Sequence, residues 1–283
     1  MFVNEFEMRK LMCEIGKRVY NRGMVAANDG NFSYKIGPNE ILCTPTGVSK
    51  GFMTPNMICK IDLKGNVLQS DGIHKPSSEI KMHLRVYECR QDVNAVVHAH
   101  PMYATAHAIA GIPLDKQIMP EATIFLGEVP IAPYGLPSTM EIPDAIEPFF
   151  NTHDAVLLES HGALSWGIDL MAAYFKMESL EFYAELSYRA QMLGGAKEIP
   201  AHEVRRLLDL RKAFNVPGKH PCIEKEGVCI KDEGAPCTHD DNCKNRVCNC
   251  DSKTAKTEKP ADNKGQAELI ARITQEVLAQ LKK

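Results

Sequence analysis

The chain has 283 residues, 44% of them hydrophobic and 24% charged, with a formal net charge of −3. That length provides for one large domain or two small ones with a packed core, and the slight acidic balance argues against nucleic-acid binding through bulk positive charge. No run of about 18 apolar residues occurs, so no membrane span is expected, and the N-terminal MFVNEFEMRK lacks the apolar segment of a secretory signal. Two residue types are unevenly spread. Every Phe, Tyr and Trp lies at or before Phe214, and six of the ten cysteines fall between Cys222 and Cys250. A globular body, residues 1–215, followed by an appendage of different character is the expected organisation.

The body opens with a helix. Asn4 is placed to cap it, Glu7 resembles the acidic partner of a capping box, and Met8, Leu11, Met12, Ile15 and Val19 form a stripe at helical spacing that ends at Asn21-Arg22-Gly23. Two turn-rich stretches follow, Asn28-Asp29-Gly30-Asn31-Phe32-Ser33 and Thr44-Pro45-Thr46-Gly47-Val48-Ser49-Lys50-Gly51. They read either as ordinary loops or as amide and hydroxyl cradles for an anion such as phosphate. Pro76-Ser77-Ser78-Glu79 leads into a helix over 80–90. It is either a plain helix start or a phosphate site at a helix N-terminus.

The stretch Val93-Asn94-Ala95-Val96-Val97-His98-Ala99-His100 reads as a buried strand. Its two histidines are two residues apart, so they share a face at the strand end. Pro101 and the alanine-rich run to Ala110 form the next helix, closed by Gly111. An apolar run, Ala155 to Leu158, ends in Glu159-Ser160-His161-Gly162, which repeats the strand-to-turn placement of a histidine. His98, His100 and His161 supply three imidazole nitrogens, the number of protein ligands usual at a catalytic zinc with an open position, and Glu79 is a carboxylate able to ligate or act as base. Asp169 caps a long helix reaching Leu193, Gly194-Gly195 ends it, and 201–214 forms the last helix of the body.

Five motifs occur in order: GN-x-S at 30–33, TPTG at 44–47, SSE at 77–79, H-x-H at 98–100 and HG at 161–162. Together they resemble the class II aldolase/adducin family over roughly residues 5–213. The resemblance implies a three-layer α/β/α fold with a largely antiparallel central sheet, assembled as a homotetramer in the bacterial cytoplasm. It implies one Zn2+ per subunit held by His98, His100 and His161, with Glu79 as fourth ligand or base, and phosphate binding by Asn31, Thr46, Gly47, Ser77 and Ser78. The substrate class is a ketose 1-phosphate, L-fuculose 1-phosphate or L-rhamnulose 1-phosphate, cleaved to dihydroxyacetone phosphate and L-lactaldehyde. Without a metal, an aldolase needs a lysine Schiff base, and no lysine stands out by its context. Family aldolases carry a tyrosine from a neighbouring subunit as the acid on the aldehyde oxygen. Met119 falls near that position here, and Glu121 is the alternative proton donor. Relatives of the same fold are 4-epimerases or dehydratases of sugar phosphates, and the adducin branch is a non-catalytic module without the metal ligands.

Beyond the body, residues 216–250 hold Cys222, Cys229, Cys237, Cys243, Cys248 and Cys250 without aromatics to build a core. A disulfide-stapled knot, a second metal or Fe–S site, and a reduced chain all remain open readings. Residues 251–263 are a polar linker. Residues 264–283 form an amphipathic helix, with Ala267, Ile270, Ile273, Val277, Leu278 and Leu281 on one face. A short amphipathic helix after a linker resembles the encapsulation peptides of bacterial microcompartment enzymes, which implies shell proteins as partners and the microcompartment lumen as location.

Overall fold

A computed structural model describes residues 4–224. The expectations for Cys229, Cys237, Cys243, Cys248 and Cys250, for the linker 251–263 and for the helix 264–283 lie outside the described residues.

The first helix, α1 (Glu5–Asn21), begins as its sequence dictates. The Asn4 side-chain oxygen accepts the amides of Phe6 and Glu7 at 3.0 and 3.3 Å, satisfying two N–H groups that a helix start otherwise leaves open. The Glu7 carboxylate pairs with Lys10. Met12, Ile15 and Val19 are fully buried. The chain then lays down β1 (Asn31–Gly37), β2 (Glu40–Cys43), β3 (Cys59–Ile61) and β4 (Val67–Gln69) as successive antiparallel neighbours. Next come α2 (Ile80–Cys89), β5 (Ala95–Ala99), α3 (Met102–Ala110), α4 (Pro120–Phe125), β6 (Ile131–Ala132) and α5 (Glu141–Ile146). The strands β7 (Ala155–Leu158) and β8 (Gly162–Gly167) precede the long α6 (Leu170–Met192), α7 (Ala201–Ala213) and the short α8 (Pro221–Glu224).

One eight-stranded sheet results, in the order β4-β3-β2-β1-β5-β8-β7-β6. Every neighbouring pair is antiparallel except β6 with β7. Alternation along the strands divides the core in two. Phe32, Val97, Ala99 and Ala163 face the layer built from α1, α3 and α6, whereas Val96, Leu164 and Trp166 face α2 and α5. This is the three-layer α/β/α arrangement with a largely antiparallel sheet. Trp166, wholly buried, meets Phe150 edge to face with ring centroids 5.4 Å apart, a favoured aromatic geometry.

The turn-rich stretch at Asn28–Ser33 is only partly a loop, because β1 begins at Asn31. Its polar residues hide the strand signal, since Asn31 and Ser33 are buried on the α2 side and find partners there. Ser33 Oγ lies 2.7 Å from both His83 Nδ1 and the Tyr87 hydroxyl, on α2.

The body also continues past residue 215. Arg211 donates to the carbonyls of Ile124 and Gly218, and His220 Nε2 lies 2.7 Å from the Thr123 carbonyl oxygen. Cys222 is buried with Val204 and Leu208. This closing segment packs through Arg, His and Cys rather than through aromatics, which is why the aromatic distribution places the boundary at Phe214.

Candidate active site

The site forms where β1, β5 and the β7–β8 turn meet the start of α2. Asn31 lies opposite His98 and Ser33 opposite Val96 in the β1–β5 ladder, so all four side chains point to the α2 face. His100 follows β5 by one residue and, two positions after His98, shares its direction. His161 comes from the turn between β7 and β8, where Ser160 adopts a positive φ of 55° and the His161 amide donates back to the Leu158 carbonyl. Glu79 occupies the N-cap position of α2.

These elements bring one nitrogen from each of His98, His100 and His161 within 4.8 Å of one another. His98 Nε2 and His100 Nε2 are 3.0 Å apart. A tetrahedral zinc with bonds of about 2.0–2.1 Å holds its ligands roughly 3.3 Å apart. The outward nitrogens set the tautomers. His98 Nδ1 donates to the Ala163 carbonyl at 2.9 Å, and His100 Nδ1 faces the Asp29 carboxylate at 3.4 Å. Each arrangement leaves Nε2 as a bare lone pair, as for a metal-ligating histidine with a partnered second nitrogen. Two lone pairs that close repel unless a cation lies between them, so the donor set fits a metal ion.

Glu79 faces this cluster. Its Oε1 is 3.2 Å from His161 Nε2, and its Oε2 is 3.6 Å from His98 Nε2 and accepts from the Asn31 side-chain amide at 2.8 Å. Burial opposes ionisation of this carboxyl. The His161 hydrogen bond, the nearby His98 and the Asn31 amide outweigh it and hold Glu79 well below the usual carboxylate range. Burial pushes His98 far down, and His100 is lowered by burial and by His161. An ionised Glu79 beside His98 and His100, both held toward the neutral form, is a protonation pattern that binds a cation.

A cleft of about 250 Å³ opens beside the cluster, with Asn31, Thr46, Ser77, Ser78 and Glu79 in its walls. The two loops are tied together by backbone: Thr46 N donates to the Lys75 carbonyl, Ser77 N to the Thr44 carbonyl, and Pro45 bridges Pro76. Gly47 turns at a φ of 72°, and Ser77 Oγ accepts the Glu79 amide at 3.3 Å. The loops and the α2 N-terminus therefore converge on one space, as an anion cradle requires. The Asn31 NH2 has two hydrogens, so one remains after the bond to Glu79.

Glu121 is not in this cleft's wall. It sits exposed on the first turn of α4, next to the half-buried Met119. Cys222 lies apart, among the α7 residues. The structure adds Asp29, Ser138 and Lys50 to the wall. Lys50 is fully buried, and burial pulls its ammonium down to about 8 against the opposing pull of Asp29 and Glu79. Nothing in V-S-K-G distinguishes a buried lysine from a solvated one.

Residues 10–188 match the class II aldolase and adducin N-terminal domain family, and the chain belongs to this family. Its site is that of a metal-dependent class II aldolase. The chain is 37% identical over 178 residues to an L-fuculose phosphate aldolase of Methanococcus maripaludis, covering 62% of this chain and 93% of the relative. It is 31% identical over 193 residues to a 3-oxo-tetronate 4-phosphate decarboxylase of Haemophilus influenzae, covering 67% of this chain and 90% of the relative. A solved L-fuculose 1-phosphate aldolase superposes with a TM-score of 0.67 at 26% identity, over 73% of this chain and 96% of that one.

Gly162 offers a test of the cluster that touches no ligand. A Cβ there falls 2.6 Å from the Ala99 carbonyl oxygen and 2.7 Å from His100 Cδ2, so the His100 ring must move. Gly162→Ala is expected to weaken metal binding by about 10–100-fold, the range seen when support behind a ligand is lost. Metal analysis after dialysis against graded chelator checks this.

Proposed function

We propose that the protein is a zinc-dependent aldolase that cleaves a ketose 1-phosphate, L-fuculose 1-phosphate or L-rhamnulose 1-phosphate, to dihydroxyacetone phosphate and L-lactaldehyde. The observation that carries this reading is the Glu79 carboxylate held among three histidines, beside a cleft lined by Asn31, Thr46, Ser77 and Ser78. The Methanococcus maripaludis relative supports the substrate class.

Breaking the C3–C4 bond leaves negative charge on a carbon beside the C2 carbonyl, delocalised onto an enediolate oxygen. His98, His100 and His161 would hold a zinc ion, which when bound would supply Lewis-acid stabilisation of that charge. Thr46, Gly47, Ser77, Ser78 and the second Asn31 N–H hold the phosphate, so binding energy remote from the reacting carbons orients them. Glu79, ionised at rest and within reach of the cluster, takes the C3 proton in condensation and, in cleavage, passes to C3 a proton that it has first accepted from solvent. Glu121 takes the C4 hydroxyl proton in cleavage and returns it to the aldehyde oxygen in condensation. Its exposed position outside its own chain's cleft suits delivery to a neighbouring copy in a homotetramer.

A decarboxylase of a 3-oxo sugar-acid phosphate is the second reading. The Haemophilus influenzae relative favours it, as does Met119, since loss of carbon dioxide from a 3-oxo acid leaves the same kind of carbanion and needs no acid on an aldehyde oxygen.

The substrate separates the two, since loss of carbon dioxide from a 3-oxo-tetronate 4-phosphate also yields dihydroxyacetone phosphate; release of that product from a ketose 1-phosphate, followed with a coupled reductase, reports cleavage alone. The expected result is turnover of L-fuculose or L-rhamnulose 1-phosphate that a chelator abolishes and zinc restores; no release from any ketose 1-phosphate overturns the aldolase assignment. Glu121→Gln is expected to slow cleavage by about 100-fold or more with zinc content intact, and unchanged turnover removes Glu121 from the reaction.

A further inference from the structure

Lys50 has an environment that the proposed chemistry has not used. It opens a short 3-10 turn, Lys50–Phe52, and its backbone is clamped against α1: a Cβ on Gly16 falls 2.4 Å from the Lys50 carbonyl oxygen. The residue is fully buried, yet it lines the cleft. Its ammonium donates to the Asn28 carbonyl at 2.8 Å and to the Val48 carbonyl at 2.7 Å. One of these carbonyls belongs to the loop before β1 and the other to the loop after Thr46, so a single cation staples the two walls together.

Burying an ammonium is unfavourable unless charge or hydrogen bonds compensate, and two carbonyls use two of its three hydrogens. The charges around it give the reason for keeping it. Among the described residues lining the cleft, Asp29 and Glu79 are carboxylates and Lys50 is the one lysine or arginine. Two carboxylates repel a phosphate dianion. The serines, threonine and backbone amides of the loops donate hydrogen bonds without net charge. A compact ammonium fixed at the junction of both loops offsets that repulsion and keeps the cradle's shape.

We propose that Lys50 is the positioning residue of the anion cradle: it bridges the two loops and supplies the cleft's positive side chain, selecting a phosphorylated ligand over a neutral one. The inference rests on the phosphate reading of the preceding section.

The test uses full-length, zinc-loaded protein and inorganic phosphate as the probe, with affinity measured by calorimetry. Lys50→Gln keeps N–H donors for the two carbonyls and removes the charge, whereas Lys50→Arg keeps the charge. The expected result is wild-type binding of phosphate, an affinity about ten-fold or more weaker in Lys50→Gln, and an affinity within about three-fold of wild type in Lys50→Arg. In turnover, Lys50→Gln is expected to raise KM for the sugar phosphate by the same factor, with kcat changing less. Thermal midpoints and zinc content report whether each variant is folded. If Lys50→Gln does not fold, Lys50→Arg decides, since a charge-bearing variant that folds and loses phosphate overturns the charge role. Phosphate affinity unchanged in a folded Lys50→Gln variant overturns the inference and leaves the phosphate reading standing. A wild-type protein that binds no phosphate overturns both.

Discussion

An ionised carboxylate buried against three imidazoles is the constraint around which this molecule is arranged. Taking Glu79 out of water opposes its charge, and that cost is met locally by the Asn31 amide, His161 and His98. Each partner depends on a different element. Asn31 is delivered by β1, His98 by β5 and His161 by the β7–β8 turn, and the β1–β5 register sets Asn31 opposite His98. A slip of one residue by either strand of that ladder would turn its side chain to the other face and deprive the carboxylate of that partner. The register of the sheet and the protonation state of the site are thus one requirement.

The second requirement is that the cradle and the cluster be held as one body. Backbone bonds between Thr46 and Lys75 and between Ser77 and Thr44 join the loop after β2 to the start of α2, and Lys50 joins that loop to the one before β1 through Val48 and Asn28. The carboxylate stands where α2 begins, two residues after Ser77. Any shift of the loop proposed to hold the phosphate therefore moves the carboxylate proposed to work on C3. Such coupling lets binding energy at a non-reacting end of a ligand be used at the reacting end.

Much of this was legible in the residues. Asn4 and Asp169 announced their helices because a cap side chain is a local signal. His98 and His100 declared a shared face because strand periodicity is two, and His161 followed from the same strand-to-turn placement. The start of β1 was hidden because Asn31 and Ser33 are polar residues buried by partners 48 and 50 residues away, Glu79 and His83. Lys50 was hidden for the same reason, since its partners are loop carbonyls that only the tertiary fold assembles. The end of the body was misplaced because Arg211, His220 and Cys222 close it by hydrogen bonds and small apolar contacts, which leave no hydrophobic periodicity to read.

The central claim is that Glu79 moves the proton at the carbon next to the carbonyl while the histidines hold the metal. Proton–deuterium exchange at C3 of dihydroxyacetone phosphate, followed by NMR in heavy water without any aldehyde, isolates that step. Exchange is expected in the zinc-loaded wild type and about 100-fold or more slower in Glu79→Gln at equal zinc content; exchange at the wild-type rate in that variant would remove Glu79 from the proton transfer.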